Sequence, residues 1–328
     1  MLAFALSLSS SGVSAAPTTT KRARVAISYI ARHQNDDGSI PGFSAVGSSA
    51  DAVVAMAAAR RGPRQIDRAI AYLKDHIDEA DSIGLKAKVV MAAVAAGEDP
   101  RNFAEVDLVG DITSSETPDG RYGADTPVLH QALAMIALAA AGEEPSEAAR
   151  TWLLDAQCAD GGWQFDNPSG PADNESCQSG PEDFFMSETD TTAHAVIALK
   201  EFETWEPGAE RDPFAFFVAR RDPEKKGWGY DLTTPITSSN STALVIEAYR
   251  EHAYRNLPKG AVRALVRLQY RLCGKRAGAF AFTYEERNGK LRRTAPDVGA
   301  TVGSVLGLTP RPYAEVMVTK RPPDPGRC

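Results

Sequence analysis

The sequence predicts an all-α protein, a closed ring of six helix pairs. Three observations carry that expectation. Self-similarity recurs with a period of about 40 to 50 residues, the signature of a repeat architecture. In each repeat a first helix with one charged face precedes a second helix that is apolar on nearly every face. Between the two lies a Gly-rich turn that carries an aromatic residue.

In chain order, the first unit runs from Val25-Ala-Ile-Ser-Tyr-Ile through Gln34-Asn-Asp-Asp-Gly38 to the apolar stretch Ser49 to Met56. The second is degenerate, with Ile66 to Leu73, a turn at Ser82-Ile-Gly84, and Lys86 to Ala93. The third has a weak first helix around Phe103 to Ile112, then Asp119-Gly-Arg-Tyr-Gly123 and His130 to Leu138. The fourth is the clearest: Trp152 to Gln157, Asp160-Gly-Gly-Trp-Gln-Phe165 and, after a long loop, Asp190 to Leu199. The fifth comprises Phe214 to Val218, Lys226-Gly-Trp-Gly-Tyr230 and Asn240 to Ala248. The sixth comprises Ala264 to Gln269, Gly278-Ala-Phe-Ala-Phe282 and Asp297 to Leu306.

First helices such as Arg24 to Arg32 and Arg263 to Arg271 carry charge on one face, so they belong outside, against solvent. Second helices that are apolar all round belong inside. Two concentric layers follow. An open stack of such units needs polar terminal caps, and closing the pairs into a ring removes that need.

The segment Gln157-Cys-Ala-Asp-Gly-Gly-Trp-Gln-Phe165 resembles the glutamine–tryptophan repeat of squalene–hopene and oxidosqualene cyclases. Degenerate copies stand at Gln34 to Gly38, Gly227-Trp-Gly-Tyr230 and Gly278 to Phe282. The resemblance spans about Val25 to Leu308. It implies the (α/α)6 toroid of the terpene-cyclase and prenyltransferase superfamily. It also implies a structural role for the Gln, Gly and Trp residues, with Gly permitting a tight turn and Trp packing between helices.

A second motif, Glu188-Thr-Asp-Thr-Thr-Ala193, resembles the Asp-x-Asp-Asp-Thr-Ala signature with which these cyclases protonate an alkene or epoxide. Asp190 matches the family's proton donor, Glu188 replaces the first acid, and Thr191 replaces the third. His194 follows one helical turn after Asp190 on the same face. Burial and neighbouring charge decide whether such an acid is protonated. The same residues also read as a helix start, because Asp190 before Thr-Thr-Ala and an apolar run is a capping pattern. Asn240 and Gly299 hold the same register in units five and six without an acid. At this level both readings of Asp190, cap and acid, stand.

If every inner helix begins at one rim, their positive dipole ends converge there. Asp51 and His194 then take equivalent positions on units one and four, opposite each other. Asp125, His130, Asn240 and Asp297 fall near that rim, and Trp163, Phe165, Trp228 and Tyr230 sit in the loops over it. An apolar cavity with a few polar groups at one end is the general form of a small-molecule site. The candidates for catalysis are therefore Asp190, Glu188 and His194. Those for ligand contact are Asp51, His130, Trp163, Phe165, Trp228, Tyr230, Asn240 and Asp297. Each also has a plain structural reading, as a satisfied histidine, a cap or loop packing.

Three functions compete. One is an exported toroid that holds a hydrophobic small molecule, isoprenoid-like or polycyclic. The second is an isoprenoid cyclase or isomerase started by protonation from Asp190; the superfamily's cyclases pair two such domains, and one is expected here. The third is a polysaccharide lyase or a glycosidase, the latter needing carboxylates roughly 5 to 10 Å apart, with Trp163 and Trp228 as sugar platforms. No nucleophile elbow or phosphate-binding Gly loop occurs, and no Cys/His cluster has zinc spacing. Neither a metal nor another cofactor is expected.

At 328 residues, 43% hydrophobic and 24% charged, the composition is that of an ordinary globular protein. A net charge of −7 and the lack of basic runs interleaved with aromatics argue against nucleic acid. Met1 to Leu8 is apolar, and Val13-Ser14-Ala15 before Ala16-Pro17 resembles a signal-peptidase site. The expected layout is a signal peptide at 1–15, a disordered linker at 16–22, the toroid at 23–309 and a Pro-rich tail at 310–328, in a secreted protein. Beyond the signal no apolar run approaches the roughly 20 residues that span a bilayer. Four cysteines suit an oxidising compartment. The expected pairs are Cys158–Cys177 and Cys273–Cys328, one of three connectivities.

Overall fold

The computed structural model describes residues 17–166, 177, 186–230 and 236–310. Among them twelve α-helices alternate between two layers. The outer layer holds α1 (Pro17–His33), α3 (Pro63–Asp75), α5 (Leu108–Ser114), α7 (Glu147–Asp155), α9 (Pro213–Ala219) and α11 (Ala261–Leu268). The inner layer holds α2 (Ala45–Ala58), α4 (Ile83–Ala96), α6 (Val128–Ala140), α8 (Thr189–Ala198), α10 (Ser239–Glu251) and α12 (Val298–Leu306). Each inner helix packs on the next, and α12 returns to pack on α2, so the inner barrel is closed. The protein is an all-α (α/α)6 toroid.

The two layers follow from side-chain pattern. Helix α3 buries Ile66, Ala69, Ile70 and Leu73, a single stripe at helical spacing. Helix α4 instead buries Ala87, Val89 to Ala93 and Ala95, around most of its circumference. Helix α1 starts at Pro17, inside the segment expected to be a linker, and this corrects the expected boundary. Its buried Ala23, Ala26, Ile27 and Ile30 form a stripe whose helix extends back to a proline, a residue suited to a helix start. The expected signal peptide and the tail beyond Pro310 lie outside the described residues.

The Gly-rich turns join neighbouring units. The Gln157 amide donates both to Gly161 O of its own turn and to Arg211 O ahead of α9, each at 2.8 Å. Gln34 does the same towards Gly38 O and Gln65 O. Gln269 donates to Gly278 O and to Arg22 O of α1, which ties unit six to unit one. Gly278 has φ +83°, and a Cβ there would meet Val25 O of α1 at 2.2 Å, so only glycine lets the outer helix come that close.

A second set of bonds fixes each turn to its inner helix. Trp163 N–H donates to Thr192 Oγ1 (2.9 Å), Trp228 N–H to Thr242 Oγ1 (3.0 Å) and Phe280 N–H to Thr301 Oγ1 (2.9 Å). Ser49 and Gln131 accept in the same way from Ile40 and Tyr122. Short strand pairs reinforce the contact, β1 (Trp163–Gln164) with β2 (Ser187–Glu188) and β3 (Phe280–Ala281) with β6 (Pro296–Asp297). A hairpin of β4 (Tyr284–Arg287) and β5 (Lys290–Arg293) projects from unit six. Its turn is Asn288-Gly289, both at positive φ, the residue pair that a tight hairpin favours.

Cys158 and Cys177 form the expected disulfide, with Cα atoms 5.3 Å apart. Cys273 is exposed and bonded to no other described cysteine. Its expected partner Cys328 lies outside the described residues.

Candidate functional site

The inner helices begin at one rim, as contacts between their first turns show. Gly47 of α2 lies against Leu85 of α4, and Gly84 of α4 against His130 of α6. They enclose a cavity of about 220 Å³. Its apolar wall is Val54, Leu129, Leu133, Leu244, Val302 and Leu306; its polar residues are Ser48, Asp51, Lys88, Asp190, His194 and Asn240. Gly299 and Gly303 of α12 complete the wall where other helices carry side chains.

The start of α8 separates two roles that the sequence left joined. Glu188 is the cap: its carboxylate accepts from Asp190 N–H at 2.7 Å and Thr191 N–H at 2.5 Å. The capping reading of Asp190 is therefore replaced, since its side chain is turned to the cavity instead. The Ser241 hydroxyl, from the first turn of α10, favours the ionised form of the Asp190 carboxyl. One carboxyl oxygen, Oδ1, is buried with no hydrogen-bond partner among the described residues.

Burial and the neighbouring Asp190 charge hold the Glu188 carboxyl above its usual range. Burial also raises Asp190, against the lowering effect of the Ser241 hydroxyl. Two carboxyls this close resist double ionisation and titrate as a pair. Glu188 accepts two backbone N–H bonds at a helix N-terminus, both of which favour its ionised form. Burial raises both carboxyls, so the pair retains a proton above the ordinary carboxylate range.

His194 lies one turn further along α8. Its Nδ1 is 2.8 Å from Asp190 O, a carbonyl that can only accept, so Nδ1 carries the hydrogen and Nε2 a lone pair. Burial pushes its pKa down to about 4, against the raising effect of the backbone bond.

Lys88 of α4 is the residue the sequence reading missed. It lines the cavity and pairs with Asp51 of α2 at 2.7 Å. The signal available was a lysine inside an otherwise apolar inner helix. Its neighbour Lys86 points the other way, to Asp111 of α5 at 2.5 Å.

Of the other expected residues, Asn240 lines the cavity. His130 does not; it packs on Gly84 and edge-on to the half-buried Phe165, with ring centroids 6.4 Å apart. Asp297 is the cap of α12, accepting from Ala300 N–H at 2.6 Å. Trp163 and Trp228 are fully buried and not at the mouth. Their indole N–H groups donate to Leu153 O (2.7 Å) and Phe217 O (2.6 Å), because a Trp wedged between two layers must satisfy that donor internally. Tyr230 is exposed, outside the cavity wall. Among the described residues no cluster of His, Cys, Asp and Glu could hold a metal ion.

No protein-family model matches the sequence, and no curated protein matches it significantly. Solved structures do match. The type II terpene cyclase MstE from Scytonema superposes with a TM-score of 0.58 at 14% identity, over 88% of this chain and 96% of that one. A variant of it, in complex with geranylgeranyl dihydroxybenzoate as substrate, gives 0.58 at 14% identity over 91% and 98%. An alpha-1,6-mannanase from Salegentibacter gives 0.59 at 10% identity, over 92% of this chain and all of that one. At such identities the likeness is one of fold. The chain is thus an (α/α)6 toroid, an architecture it shares with both the terpene cyclase and the mannanase.

Proposed function

We propose that the central cavity holds a hydrophobic small molecule, isoprenoid-like or polycyclic, and that Asp190 donates a proton to it. One observation carries this reading. Glu188 takes over the helix cap, and Asp190, a residue of the cavity wall, keeps one buried oxygen with no hydrogen-bond partner among the described residues. A carboxylic acid kept neutral by burial is suited to proton donation at ordinary pH. The terpene cyclase likeness is consistent with such a ligand. The sugar-cleaving alternative has less support, because Trp163 and Trp228 are buried and Asp51 is held by Lys88. The disulfide suits an exported protein.

Native mass spectrometry of the protein from its own secretion medium tests the first half; a copurifying lipid or isoprenoid is expected. An empty cavity together with polysaccharide-degrading activity would overturn the reading. For the second half, Asp190→Asn is expected to keep ligand binding and lose turnover of polyprenyl compounds by at least about 100-fold. Unchanged turnover would remove Asp190 from the chemistry.

A further inference from the structure

The cavity offers a place for a proton to leave as well as one from which it comes. We propose that His194 removes a proton from the bound molecule on the same face to which Asp190 delivers one, so that the site shifts a double bond and adds no water. This rests on the acid role proposed for Asp190.

The argument is one of elimination and geometry. A base for this step must line the cavity and be free of a cationic or capping partner that lowers its basicity. The two Glu188 oxygens are taken up by backbone N–H groups. Asp51 is paired with Lys88. The Asn240 amide is not a base. His194 has its hydrogen fixed on Nδ1 by Asp190 O, so the lone pair is on Nε2 of a ring that lines the cavity. Acid and base come from one helix face, four residues apart, a spacing of about 5–6 Å between Cβ atoms. That distance brackets a short stretch of carbon chain lying along α8, and both groups approach it from the same side.

The step balances without a further reactant. The Asp190 O–H proton bonds to one alkene carbon, leaving a tertiary cation on the other and a carboxylate on Asp190. Nε2 of His194 then takes a proton from a carbon next to the cation, and that C–H electron pair becomes the new double bond. The imidazolium returns its proton to Asp190 through solvent, which restores both groups. A C–H beside a carbocation is so acidic that a weak base suffices. The charges facing His194 are those of Lys88 on α4, Asp51 on α2 and the acid pair on α8. Lys88 disfavours the imidazolium and Asp51 favours it.

The test uses the full protein in heavy water with geraniol, farnesol and geranylgeraniol as probes. Wild type should give an isomer one mass unit heavier, deuterated at carbon and free of added water. His194→Gln, checked for folding and probe binding by thermal shift, should form that isomer about 100-fold more slowly or divert it to a hydrated product. Asp190→Asn should incorporate no deuterium. Isomer formed by His194→Gln at the wild-type rate sinks the role of His194 while leaving Asp190 as the acid. Wild type that deuterates none of the three probes overturns both.

Discussion

Three residues within seven positions of α8 do different work because each oxygen and nitrogen has a different neighbour. Glu188 holds the helix start, Asp190 has a buried oxygen with no hydrogen-bond partner among the described residues, and His194 holds a lone pair. Replacing Glu188 by Ala removes both cap bonds and is expected to cost about 1–2 kcal/mol, read from urea unfolding. The pH dependence of turnover follows from the same neighbours. In the proposed reaction Asp190 acts when protonated, so activity should be lost as pH rises through its raised value, above the ordinary carboxylate range. His194 would act when neutral, so activity should also be lost as pH falls through about 4. A bell lying on the acid side of neutrality is expected; a rate that climbs steadily into alkaline pH would contradict it. The Asp190–His194 pair was legible in the sequence because a helix makes four-residue spacing a spatial fact. Lys88 was not, because its partner Asp51 comes from another helix, and local pattern does not say which way a lysine in an apolar helix points.

At the level of elements, the turn between outer and inner helices is a bonded unit. Thr242→Val leaves the buried Trp228 N–H without its acceptor and should cost about 1–3 kcal/mol, measured by chemical denaturation. Helix α12 sets the room for the ligand. A Cβ at Gly299 meets only Asp297 Oδ1, at 3.4 Å, so Gly299→Leu can fold while filling the cavity. That variant is expected to keep a near-native melting temperature and to lose binding of polyprenols, as followed by native mass spectrometry. Gly303 is different, since a Cβ there meets the Asn240 side chain at 2.9 Å. The helix pairs were readable because apolar periodicity differs between the layers. The roles of the tryptophans were not, because an aromatic in a Gly-rich loop looks alike whether it faces solvent or its own core. The hairpin's Asn288-Gly289 was a usable signal that the helical repeat obscured.

For the whole molecule, the ring order came from the repeat count, and its closure rests on contacts that no local window holds: α12 on α2, and Gln269 on Arg22. The Cys158–Cys177 bond, closing a loop with a sequence separation of 19, should contribute on the order of 3 kcal/mol. Cys158→Ser should therefore lower the melting temperature under non-reducing conditions. Residues from the first and last units also meet in space, since Thr20, Ala23 and Arg24 line one recess together with Thr309 and Pro310. A closed ring whose first and last helices adjoin has no privileged point of entry. Joining Pro310 to Pro17 through a short flexible linker and opening the backbone at Gly142, where even an added Cβ would touch nothing, should give a circularly permuted protein with the same barrel and the same cavity.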